Sequence, residues 1–220
     1  MPIPNTRFAN LPAGYDEISG LARMLHKYQI DDGIEAIVSY LSRYYPTDYF
    51  EWEQRARGNP NFGNLENIGV VNIARLLDKP SLIPAAMMQC CQLPVKCLME
   101  GFQRADGVHE RLSQEDLTNA LIARAKLVEV RAQVYAAMCR IAGTGVIGCV
   151  GSECYNCLAP IRNPPQSMKI GTEVSSFWAD TILQHPSRLP CEICQREIRE
   201  EEEIILRVFW DSEWLEFWNE

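Results

Sequence analysis

The chain has 220 residues, with 21 Lys and Arg against 29 Asp and Glu, a formal net charge of −8, and 47 % hydrophobic residues. That apolar share is enough for a real core in one domain or two small ones, and 23 % charged residues beside it exclude global disorder. The acidic balance argues against a nucleic-acid partner, because neutralising phosphates takes a basic face. No run of about 18 apolar residues is present to span a bilayer, so no membrane partner is expected. Nine cysteines, together with residues 1–13 that lack a basic leader and an apolar stretch, point to an intracellular, reducing setting where thiols stay free or hold metal.

Residues 1–14, with three prolines and no periodic pattern, read as an extended lead-in. Ile18, Leu21, Ala22, Leu25 and Tyr28 then recur at three and four residues and predict a helix over 16–29. Ile34, Ile37, Val38, Leu41 and Tyr44 predict a second, closed by Pro46. The link over 29–33 is short enough to make the two neighbours. Short helices are expected over 48–57, 68–77, 82–91 and 95–102, punctuated by Pro80 and Pro94.

The longest element is expected over 114–140, opened by Ser113 as N-cap with Asp116 at the third helical position, an approximate capping box. Leu121, Ala125, Val128, Ala132, Tyr135 and Cys139 alternate by four and three residues and predict its packing seam. Beyond Ala142 the glycines 143, 145, 148 and 151 break the helix, and a further helix is expected over 172–184. Glu200, Glu201, Glu202 and Glu203 read as the start of the last helix, where first-turn acids suit the dipole. The aromatic tail (Phe209, Trp210, Trp214, Phe217, Trp218) is expected to bury itself on the domain rather than to form an exposed docking site. The fold class that follows is all-α, a multi-helix array over 15–142 with a small zinc-stapled subdomain over 143–220.

Two CxxC pairs, Cys154/Cys157 and Cys191/Cys194, are the sharpest constellation. Paired knuckles of this kind present four thiolates to Zn²⁺ in a tetrahedron, and the long gap between them costs only about 0.6 kcal/mol per doubling of loop length. With no βαβ pattern around either pair, a thioredoxin-type redox motif is excluded. Cys149, five residues before Cys154, is an alternative ligand to Cys157; His185 is near enough to Cys191 in sequence to compete but, preceding Pro186, is expected to be solvated. Four protein thiols leave no open position, so the expected zinc is structural rather than catalytic. The literal GxGxxG over 143–148 follows a helix instead of a strand and has no acid after it at the required distance, which rejects nucleotide binding.

The stretch ISGLARMLHKYQIDDGIEAIVSYLSRYYP resembles the last helical pair of a fungal BTB/POZ domain. NIARLLDKPSLIPAAMMQCCQLP, GFQRADGVHERLSQEDLTNALIAR and the tail CEICQREIRE…VFWDSEWLEFW resemble the helical, cysteine-bearing extension that follows it in a large group of such proteins. The resemblance covers roughly 15–218. It implies a non-enzymatic protein-interaction role, with partners in a cullin-type ubiquitin ligase or a transcription complex. The strand-rich core that precedes these helices in the family is not among these residues. In the family the first cysteine pair is usually more widely spaced, which would favour Cys149 with Cys154; the CxxC pair Cys154/Cys157 is kept as the expected ligand set on geometric grounds, with Cys149 as its rival. Two alternatives of other classes stand beside this reading. One is a Cys/His-dependent enzyme in a helical cleft, which requires His26 or His109 against a cysteine, and the other is an inactive remnant of a longer BTB protein.

Overall fold

A computed structural model describes residues 14–56, 62–144, 149, 154, 158 and 190–219. The first periodic segments form α1 (Tyr15–Lys27) and α2 (Asp31–Ser42), which pack on each other, with Ile18, Ala22 and Leu25 of α1 and Ile37 and Leu41 of α2 buried. Next come α3 (Tyr49–Ala56), α4 (Glu66–Leu76), α5 (Ile83–Cys90) and α6 (Val95–Glu100). Pro80 opens a 3-10 turn, Pro80–Leu82, that leads into α5; its fixed φ and missing N–H suit a first helical position. Both α4 and α5 are buried along most of their length and make the centre of this region.

The helix expected over 95–102 stops at Glu100. Gly101 takes φ 74°, a left-handed turn, and a Cβ there would lie 2.0 Å from the Glu110 carbonyl oxygen. The chain then makes a minimal hairpin in which β1 (Phe102–Gln103) pairs antiparallel with β2 (His109–Glu110). Strands of two residues are too short to show alternation, so the sequence pattern hides them.

Two compact units result. Described residues of Met1–Ala123 and Trp214–Glu220 form one, and those of Arg124–Glu213 form the other. In the first, the hairpin carries the Glu110 carboxylate into a polar cluster. Arg23 donates to it at 2.6 Å, Asn72 at 2.7 Å, Tyr15 at 3.2 Å and Arg104 at 3.3 Å. The hydroxyl end of Tyr15 in turn abuts Gly69 of α4, where a Cβ would sit 1.8 Å from its hydroxyl. The C-terminal α9 (Leu215–Asn219) packs on α5, and just before it Trp214 donates its indole N–H to the Pro84 carbonyl at 2.9 Å. Of the aromatic tail, Phe209, Trp210, Trp214 and Trp218 are buried as expected, and Phe217 is half-buried.

The long α7 runs over Gln114–Thr144, and its capping box is present: Ser113 Oγ accepts the Asp116 N–H at 3.0 Å. The packing seam is not the expected one. Leu121 and Val128 are 41 % and 39 % exposed, and Ala125 and Ala132 are exposed too. The buried row is Ala120, Ala123, Leu127, Val130, Val134, Ala137 and Ile141, displaced alternately by one and two residues and equally regular at three and four. Beside this row, Arg131 is fully buried in the second unit and paired at 3.5 Å with Glu202 of α8 (Glu192–Phe209).

The acidic run is corrected by the same contact. With Cys191 as its N-cap, α8 begins well before residue 200, so the four glutamates lie in its middle rather than its first turn. Glu202 faces Arg131, Glu201 pairs with Arg140, and Glu200 pairs with Arg196 one turn back. A five-residue π-helical turn, Trp210–Trp214, follows α8. The helix expected over 172–184 lies outside the described residues. No described helix is long and apolar enough to cross a membrane.

Candidate metal centre

Residues 191–194 owe their geometry to a helix start. Cys191 is the N-cap in extended conformation (φ −61°, ψ 160°), and its carbonyl accepts the Gln195 N–H at 3.0 Å, which begins the helical ladder. Cys194 is then the third helical residue, and N-cap and third position share one side of the first turn. The Gln195 side chain closes the entrance by donating to the Pro190 carbonyl at 2.7 Å. A second local turn begins at Cys154, whose carbonyl accepts the Leu158 N–H at 3.0 Å, with Leu158 buried beneath it.

These two turns and Cys149 converge. The sulfurs of Cys149, Cys154, Cys191 and Cys194 all lie within 4.8 Å of one another. Four Zn–S bonds of about 2.3 Å in a tetrahedron require sulfur–sulfur edges of about 3.8 Å. The Cys191 and Cys149 sulfurs are 3.8 Å apart. Cys154 and Cys194 are buried at 7 % and 1 % exposure, whereas Cys149 and Cys191 are half-buried. Of the sequence-derived ligands, Cys154, Cys191 and Cys194 are therefore brought together with the alternative Cys149; Cys157 and His185 lie outside the described residues.

The four thiols differ in their electrostatic setting. The Cys154 sulfur accepts the Cys191 backbone N–H at 3.2 Å. That amide favours its thiolate, but burial and the neighbouring Cys149 and Cys191 sulfurs outweigh it and push the thiol up. Burial, then Cys149 and Cys191, push Cys194 well above the ordinary thiol range. Cys191 moves the other way, to about 7, chiefly because the Cys194 amide faces its sulfur at the positive end of α8. Four thiolates cannot all ionise side by side without compensation; a bound dication supplies it and drives the remaining protons off. The donor set is all sulfur, the preference of zinc and of other thiophilic ions over calcium or magnesium.

The other polar constellations have structural explanations. Two arginines, a tyrosine and an asparagine saturate Glu110; burial raises its pKa, but the Asn72, Arg23 and Arg104 contacts prevail and hold it below the ordinary carboxylate range. Cys90 and Cys91 are fully buried in and beside α5, with the Cys91 thiol donating to the Ala120 carbonyl. Burial pushes the Cys90 thiol up, as befits an inert core sulfur. His109 places Nε2 2.6 Å from the Glu100 carbonyl, and His26 is exposed. The Glu110 cluster had no signal in the sequence, because its members are scattered from Tyr15 to Glu110 and only the hairpin brings the acid to the arginines. Comparison of the chain with protein-family models, curated proteins and solved structures gives no match.

Proposed function

We propose that this chain is a non-enzymatic protein-interaction module whose C-terminal region is stapled by one structural Zn²⁺ on Cys149, Cys154, Cys191 and Cys194. The observation that carries the reading is the all-thiol quartet: four cysteine sulfurs within 4.8 Å. When four thiolates fill a tetrahedron, no position remains for water or substrate, which is the arrangement of structural zinc. Zinc suits it because the d¹⁰ ion has no geometric preference of its own and no redox chemistry to control. Its role would be to tie Cys149 and Cys154, beyond the end of α7, to the start of α8.

The interaction half of the reading rests on the resemblance to the helical extension of fungal BTB proteins, which implies protein partners of the ubiquitin-ligase or transcription-complex kind. His109 turned to a backbone carbonyl supports this over a Cys/His nucleophile, which needs an imidazole at the sulfur. The test is affinity purification of the tagged chain, with Cys191→Ser as control and metal analysis of both. One zinc per chain and a discrete set of co-purifying proteins that the variant loses is the expected result. Iron in place of zinc would overturn the assignment of the ion, and an identical set with both proteins would overturn the link between staple and interaction. No co-purifying protein would overturn the interaction role.

A further inference from the structure

We propose that the cysteine centre is a redox-released clasp, in which oxidation by hydrogen peroxide joins Cys149 to Cys191 as a disulfide and frees the metal, while Cys154 and Cys194 stay reduced. The inference rests on the reading that the quartet holds a divalent metal. Its own grounds are the unequal exposure of the four sulfurs and the adjacency of two of them. Cys149 and Cys191 are half-buried and their sulfurs are 3.8 Å apart, a short approach away from a bond. Cys154 and Cys194 are buried, and the Cys154 sulfur is further occupied by the Cys191 amide. A peroxide arriving from solvent therefore meets the Cys149/Cys191 edge first.

The chemistry balances with the peroxide as the sole oxidant. One thiolate of the exposed pair attacks a peroxide oxygen, the O–O bond breaks, and a sulfenic acid forms as hydroxide leaves and is protonated to water. The second thiolate attacks that sulfur, the S–S bond forms, and the sulfenic oxygen leaves as a second hydroxide, also protonated. Two thiolates give two electrons to one peroxide, with two protons consumed and two waters produced; the metal leaves as the unchanged dication. The linkage takes one ligand from each side of the site, so neither Cys149 with Cys154 nor Cys191 with Cys194 survives as a chelating pair. Two buried thiolates remain, too few to hold zinc against solvent. Because the product is a disulfide, a dithiol reductant with added zinc restores the centre.

The test treats the zinc-loaded full chain with hydrogen peroxide, follows metal release with a chromogenic zinc indicator, and maps linkages by non-reducing peptide mass spectrometry. One zinc released per Cys149–Cys191 disulfide, reversed by dithiothreitol and zinc, is the expected result. Cys97 and Cys139, half-buried thiols that are not members of the quartet, serve as internal reference. Their oxidation while zinc is retained would overturn the proposal, as would release accompanied by a Cys154–Cys194, Cys149–Cys154 or Cys191–Cys194 linkage. Metal content measured before peroxide separates the two levels: a metal-free starting protein defeats the site itself, whereas a loaded protein that keeps its zinc defeats only the clasp.

Discussion

Replacing Glu202 with leucine should be among the most damaging single changes in the second unit, and replacing Arg131 as well should largely repair it. The two side chains are 3.5 Å apart and essentially without solvent exposure. At an effective dielectric near 20, two unit charges at that separation attract by about 5 kcal/mol. Burying the pair costs several kcal/mol per ion, so its net worth against an apolar pair is small. Removing one partner is different, since it forfeits the attraction while the desolvation cost of the survivor stays; about 3–5 kcal/mol is expected for Glu202→Leu or Arg131→Met. In a chain of this size that is a Tm loss of roughly 6–20 °C, at about 2–4 °C per kcal/mol. The double variant should return to within about 1 kcal/mol of the parent, because its leucine and methionine extend the buried row of Val130, Val134 and Met138. Thermal and urea unfolding followed by circular dichroism measure all four corners of the cycle. Single variants within about 1 kcal/mol of the parent, or a double variant as unstable as the sum of the two, would refute the reasoning.

Two further outcomes concern the first unit. Gly69→Ala, which in an open helix would gain about 1 kcal/mol, should instead cost about 1–3 kcal/mol, because the new methyl meets a Tyr15 ring that Ser19 and Glu110 hold in place; a raised Tm would contradict the packing. Glu110→Gln should destabilise at pH 7 by removing the charge that Arg23 and Arg104 share. Since Glu110 has its folded pKa held below the ordinary value of 4.5, its contribution is complete above that value and fades as the pH falls through the depressed one. The stability gap between parent and variant should therefore be constant from pH 7 to about 5 and close in more acidic solution. A gap that widens on acidification would show the opposite sign.

Much of the helical frame was legible because apolar residues at three and four residues, bounded by Pro46, Pro80 and Pro94, leave few other arrangements for α1 to α6. Helix faces were less legible than helix spans. On α7 two neighbouring apolar rows carry the same three-and-four rhythm, so the pattern alone does not select the buried one, and Arg131 beside it is an interior residue paired with Glu202 from 71 residues away. The acidic run misled for a related reason, since runs of glutamate suit a first turn, while here the true cap is a cysteine. At the metal centre, Cys191 and Cys194 could be read directly, because N-cap and third position bring i and i+3 together. The choice of Cys149 beside Cys154 depends on how the chain leaves α7, which spacing alone does not set.

Counting metal per chain by inductively coupled plasma mass spectrometry, for the parent and for single Cys→Ser variants, addresses the centre most directly. The parent and Cys157→Ser should each carry one equivalent of zinc, and Cys149→Ser, Cys154→Ser, Cys191→Ser and Cys194→Ser should each lose it. A metal-free parent, or a Cys149→Ser protein that keeps its zinc while Cys157→Ser loses it, would contradict the quartet.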